Sequence, residues 1–243
     1  MGGLFIECRD WCSRGFSRAF LEGDRWKLYL KGMGITLELT ITALVIGVIL
    51  GVLVAVIRTA HDQQRVGSKN LALGILNALC KVYTTVIRGT PMMVQLLIWG
   101  FVIFKTSRNH TMVGILGLGI NSGAYVAEIV RGGLMSVDKG QMEAGRSLGL
   151  NYMTTMRFIV IPQAVKAILP ALGNEFIILL KDTSLITVIG GKELLYAAQG
   201  IYNRTYEQMF PLIGTAALYL VLVIILSWLL GKLERRLRQS DRR

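Results

Sequence analysis

Lys139-Gly140-Gln141-Met142-Glu143-Ala144-Gly145-Arg146-Ser147-Leu148-Gly149 is a polar, helix-forming stretch set between two runs, 112–130 and 158–180, apolar enough to cross a bilayer. Residues 139–148 read as a short helix, Gly149 suits the left-handed residue that stops one, and Asn151 suits the cap of the next. A short helix clamped between two membrane-anchored rods passes any push into both of them. In that arrangement Glu143 offers a charged contact, Ala144 keeps one face thin enough to enter a groove, and Gly149 permits a sharp turn. On spacing alone the stretch is equally a plain amphipathic loop helix with a glycine stop.

Outward from this stretch, a 243-residue chain that is 53% hydrophobic and only 17% charged excludes an ordinary soluble domain and predicts several spans. The first is 34–57, interrupted by Glu38 and closed by Arg58. Lys81 and Arg88 cut the next apolar stretch, and Pro91 pushes Thr90 out of helical geometry, so 71–86 reads as an interfacial helix and 87–105 as the second span. The third is 112–130, and the fourth is 154–180, which Pro162 and Pro170 bend or loosen. The fifth, 210–230, carries no charge. Residues 1–33 mix acids, bases and aromatics and read as an amphipathic segment on the membrane surface. The membrane-spanning body is then 34–231, and 232–243 form a basic tail.

The net charge of +12 does not gather on one soluble segment, which argues against nucleic acid. The bases concentrate in 58–88, in 131–157 and in the tail, so these regions and the C-terminus are expected on the cytoplasmic side. Lys105 and Arg108 are a mild exception. Cys8, Cys12, Cys80, His61 and His110 carry no metal-site spacing, and no metal or cofactor is expected on this chain. Gly191-Lys192 superficially resembles the end of a nucleotide-binding loop, but Ile186 stands where its first Gly belongs and Glu193 where Ser or Thr belongs. With no His, Cys or carboxylate constellation for hydrolysis, the chain is expected to be non-catalytic.

Glu38, Glu128 and Glu175 lie within apolar spans, where an ionised group costs on the order of 2.5 to 3.5 kcal/mol. Asn121, Tyr125 and Glu128 share one helical face, extended by Arg131; Asn174 with Lys181, and Glu175 with Asp182, form two neighbouring polar lines. Two readings stay open. Glu128 pairs with a base such as Arg131 while Asn174 and Glu175 bond helices together, or these groups line a path for polar cargo.

The tract of Glu143-Ala144, Gly149 six residues after the Glu, and then Ile159, Ile161 and Pro162 resembles the cytoplasmic coupling signature of ATP-binding-cassette (ABC) importer permeases. Their pattern is Glu-Ala-Ala, a later Gly and an Ile-x-Leu-Pro end; Gly145 and Ile161 depart from it. Arg88-Gly89-Thr90-Pro91 with Val94-Gln95, the run Ser122 to Gly133, and Leu179-Leu180-Lys181-Asp182-Thr183-Ser184-Leu185 are similar to the polar amino-acid branch of these permeases, the histidine, glutamine and arginine importers. The resemblance implies an all-α polytopic bundle of about five transmembrane helices, of the type I, MetI-like kind, with a cytoplasmic coupling helix. It implies that Glu143, Ala144, Gly145, Gly149, Ile159 and Pro162 couple to an ATPase subunit that itself holds ATP and Mg. It further implies a binding protein outside the cell, and a second permease subunit as homodimer or heterodimer. Glu128, Asn174, Glu175, Asp182 and Thr183 become candidates for the path of a polar amino acid across the inner membrane. An ion-coupled secondary carrier, using Glu128 or Glu175 as a relay, is the alternative, and a membrane enzyme or scaffold the third.

Overall fold

The computed structural model describes residues 9–11, 13–64 and 70–240, and among them the chain is all-α, without strands. Helix α1, Trp26–Asp62, has 37 residues and so reaches about 55 Å, well beyond a hydrocarbon core of about 30 Å. It begins at Trp26 rather than at 34, because nothing between Trp26 and Gly34 breaks a helix. Of the expected interfacial segment, residues 1–8 and 12 lie outside the described residues. The remainder folds back on the bundle: Phe20 stacks on Tyr29 of α1 with ring centroids 5.1 Å apart, and Trp11 meets Phe210 at 5.3 Å.

Helix α2 is Leu71–Gly89, capped by the Asn70 side chain, which accepts from the Ala72 and Leu73 amides at 3.0 and 3.4 Å. The expected division into 71–86 and 87–105 is corrected here. One helix long and apolar enough to cross runs through Lys81 and Arg88 to Gly89, and a shorter apolar helix, α3 (Met92–Ile98, continued by a π-helical turn Trp99–Ile103), follows. The break falls at Thr90, held at φ −119°, ψ 145° by Pro91, which decides the stop where the charges do not. Gln95 repairs it, donating from Nε2 to the carbonyls of Ile87 (2.7 Å) and Thr90 (3.1 Å) that the helix end leaves open.

Helix α4, His110–Met135, is the most buried of the long helices and packs along α1. Ala43, Gly47, Gly51 and Ala55 recur every four residues on α1 and are all buried. A Cβ on Gly47 would stand 2.9 Å from the Ser122 Cβ, and one on Gly51 would stand 2.6 Å from the Val126 Cβ. The two backbones therefore approach as only a ridge of small residues allows, which is how helices gain dispersion contacts where no water is expelled.

After the short helix α5, Lys139–Ser147, the chain re-enters the bundle as α6: Tyr152–Thr155, a π-helical turn Met156–Val160, then Ile161–Asp182. The wide turn is expected where Pro162 withholds an amide, and the Ile161 N–H reaches back five residues to the Met156 carbonyl. Pro170 sits inside α6 without ending it. A 3₁₀ stretch, Thr183–Ile189, leads to α7, Leu194–Thr205, and α8 runs from Met209 to Ser240, so most of the basic tail is a helical extension of the last span.

The connection between the fourth and fifth spans is thus largely helical, and α7 packs Leu194, Ala198 and Ile201 against Tyr29. Glu193, 1% exposed, caps α7 at the Tyr196 amide (2.9 Å) and accepts from Tyr219 of α8 (2.5 Å) and Thr36 of α1 (3.3 Å). Burial pushes the Glu193 carboxyl above its ordinary range, and these hydrogen bonds pull it back down. An acid with a raised folded pKa takes up its proton more readily in the fold than in the unfolded chain, where it titrates near about 4.3. Its contribution is therefore fully present below that value and is lost as pH rises through the raised folded value. Melting temperatures of the wild type and Glu193→Gln across this window are expected to diverge, the variant lacking this part of the wild type's gain on acidification.

Candidate coupling site and substrate path

At the end of the bundle where α1, α4 and α6 meet α5, local sequence dictates each turn. Asp138 caps α5 by accepting from the Gly140 amide at 2.6 Å. Gly149 ends it at φ +85°; the Leu150 amide reaches the Gly145 carbonyl and the Gly149 amide that of Arg146, at 3.1 and 3.0 Å. This is the Schellman arrangement, which requires the left-handed residue that glycine adopts without strain. Asn151 then caps α6 through the Thr154 amide at 2.8 Å. The hinge is thus rigid on both sides of one residue.

Helix α5 has two faces. Glu143, Ala144, Ser147 and Leu148 are exposed, Leu148 by 82%, while Gly145 is buried. A Cβ at Gly145 would lie 2.6 Å from Thr155 Cγ2, 3.0 Å from its Oγ1 and 3.2 Å from Ile159 Cδ1, so α5 rests directly on the start of α6. Ile159 belongs to that seat, whereas Pro162 is exposed one turn further on and acts through the backbone. Behind α5 lies a cavity of about 600 Å³, whose lining includes Asp62 and Gln63 of α1, Arg131 and Met135 of α4, and Glu143 and Arg146 of α5. Across it the Tyr152 hydroxyl donates to the Gln63 side chain, linking α6 to the end of α1.

The five residues assigned to a polar path divide into separate places. Glu128 bonds to Arg58 of α1 through one oxygen and to Arg131 through the other, the latter at 3.3 Å. Glu175, 6% exposed, accepts from Ser122 of α4 at 2.8 Å. Ser122 and Glu128 are six residues apart on α4, about 9 Å along the axis and about 120° around it. Glu128 therefore does not share a pocket with Glu175 in this chain. Asn174 is exposed, Asp182 half-buried, and the Thr183 hydroxyl fully buried, donating to the Leu180 carbonyl at 2.7 Å.

Sequence reasoning read Arg58 as a loop charge that orients the chain; the structure makes it the main partner of Glu128, a pairing 70 positions apart that no helical spacing announces. It also missed Gln95, whose Oε1 accepts from Asn121 at 3.1 Å and ties the elbow between α2 and α3 to α4. Polar groups placed so close to lipid depth are kept only where such partners exist.

Comparison with known proteins fits this geometry. The family described as "Binding-protein-dependent transport system inner membrane component" matches residues 66–239. The glutamine transport system permease protein GlnP of Escherichia coli strain K12 is 36% identical over 215 residues, covering 87% of this chain and 93% of that protein. A crystal structure of an amino acid ABC transporter with histidines superposes with a TM-score of 0.78 at 41% identity, covering 86% of this chain and 94% of that one. The MetNI methionine ABC transporter, at 19% identity and a TM-score of 0.73 over 90% of this chain and 99% of that one, shares the fold. Five membrane-length helices among the described residues, a capped helix hinged at Gly149 and a match over most of its length make this chain a member of the multi-pass inner-membrane permeases of binding-protein-dependent transport systems.

Proposed function

We propose that this chain is the membrane-spanning subunit of an ATP-driven importer of polar amino acids, with α5 as the lever on which a separate ATPase subunit pushes. The observation that carries the reading is the seat of α5: an exposed face of Glu143, Ala144 and Leu148 on one side, and on the other a glycine in direct contact with Thr155 and Ile159 of the next transmembrane rod. Motion of the exposed face has no soft layer in which to dissipate, because close-packed interiors transmit displacement. ATP and Mg belong to the partner subunit, and this chain supplies no catalytic group. A binding protein on the opposite side delivers cargo.

The excess of basic residues in 58–88, in 131–157 and in the tail supports a cytoplasmic side for α5 and the C-terminus. A second permease, identical or related, closes the path, since the five candidate spans among the described residues leave much of α8 uncovered. Along α6, Asn174, Glu175 and Asp182 are the acceptors we assign to the ammonium and side-chain donors of the cargo. The glutamine named for one relative and the histidines of the crystallised transporter both carry such donors. Glu175 accepts from Ser122 through one of its two oxygens, which leaves acceptor capacity for cargo.

Charge reversal at the exposed lever tests the proposal. In proteoliposomes with both partner subunits, Glu143→Lys is expected to leave insertion intact and to lower uptake per ATP hydrolysed by about tenfold, the equivalent of about 1.4 kcal/mol and less than a like-charge clash costs at a fully buried interface. Unchanged coupling in this variant sinks the assignment of α5.

A further inference from the structure

A second cavity, of about 510 Å³, lies between α1, α2 and α4 and is lined by Arg58, Lys81, Thr84, Arg88 and Glu128 among others. It sits at the coupling end of the bundle: Arg58 is four residues before the end of α1 and Glu128 seven before the end of α4, about 6 and 10 Å inside the helix ends. Its charge is unbalanced. The single charge of Glu128 is already shared by Arg58 and Arg131, so it does not balance the two further cations on α2. Among the described residues, no carboxylate lies within ion-pair distance of Lys81 or Arg88. Arg88 rests its guanidinium over the Tyr125 ring at 5.4 Å, which orients it without neutralising it. Arg58, with its side chain 13% exposed, keeps a buried Nε–H with no partner.

Lys81 and Arg88 are two helical turns apart and both face this cavity. Val82 and Val86 do not line the cavity; they lie roughly 110–150° around α2 from this cationic line and are 60% and 53% exposed. A cationic recess thus opens on a helix whose outer side is exposed and apolar, a combination matched to an amphiphile whose anionic head enters the recess while its chains run round α2, rather than to a small, wholly polar solute. We propose that this cavity is a binding site for the phosphate of an anionic phospholipid, held by Lys81 and Arg88 with its acyl chains along Val82 and Val86. A lipid seated there bridges α2 to the Arg58–Glu128 pair, and hence to the ends of the two rods that flank α5.

The transporter complex, reconstituted in nanodiscs of phosphatidylglycerol and phosphatidylcholine and released for native mass spectrometry, reads this directly. The wild type is expected to retain phosphatidylglycerol in preference to phosphatidylcholine. Lys81→Gln with Arg88→Gln is expected to weaken that retention roughly 30-fold, each charge contributing about fivefold. Lys232→Gln with Arg236→Gln, an equal loss of charge on α8, should leave the tight site intact. Should the double variant fail to assemble, Lys81→Gln alone, at an exposed side chain, is expected to give the fivefold loss. Equal retention by the wild type and the α2 variants overturns the proposal. Complete displacement by inorganic phosphate would reassign the site to a free anion, and displacement by L-glutamine would reassign it to the transport path; either result removes the lipid.

Discussion

Gly145→Ala is expected to cut coupled uptake about tenfold, although alanine is the usual residue there in the resembling signature. The added methyl would meet Thr155 Cγ2 at 2.6 Å and Ile159 Cδ1 at 3.2 Å, both on the well-packed start of α6. Overpacking of this kind costs roughly 1–3 kcal/mol and is relieved by moving one element off the other. Because α5 is held at both ends, by Asp138 and by the Gly149 hinge, it cannot slide; it must tilt away from α6. Thr155→Ser removes the nearest colliding atom, so Gly145→Ala with Thr155→Ser is expected to recover most of the lost coupling. Uptake and ATP turnover measured on the same proteoliposomes check this. Full activity in the single variant, or no recovery in the double, means that α5 and α6 do not move as one body.

Glu128→Gln is expected to be the most destabilising single exchange among the polar residues of the spans. Glu128 is 23% and Arg58 13% exposed, and removing the carboxylate leaves Arg58 facing Arg131 and the α2 cations with nothing between them. Breaking a buried pair from one side costs about 3–5 kcal/mol, the upper part of that range applying only to full burial. Arg58→Met combined with Glu128→Leu removes both charges of the pair and is expected to be much closer to the wild type in a thermal melt in detergent. If Glu128→Gln melts with the wild type, the Arg58–Glu128 bond is not a structural tie, and the carboxylate is free for a role in transport.

The stop at Gly149 and the cap at Asn151 were legible in the chain because both act on groups within a few residues of themselves, whereas the equally local cap at Asp138 went unread. Four of the five crossings found among the described residues were legible for a similar reason, since hydrocarbon thickness selects runs of about 20 apolar residues whatever lies beside them. The partition at Pro91 was misjudged because Lys81 and Arg88 were weighed as if they faced lipid. A span carries charge when one of its faces meets a cavity, and that depends on neighbours distant in sequence. The four-residue repeat of small residues from Ala43 to Ala55 was visible in the letters, but only the closeness of α4 gives it meaning.

Membrane residence, the number of crossings and the short hinged helix follow from hydrophobicity and from backbone chemistry within single turns, and these the letters of the chain specify unaided. Which acid meets which base, and whether polar groups form one path or several, required the packed bundle. Arg58 and Glu128 lie 70 positions apart and Ser122 and Glu175 53 apart, so each pair is made by the angle at which two rods cross. Periodicity along one helix tells which residues share a face; it carries no information about what that face will meet.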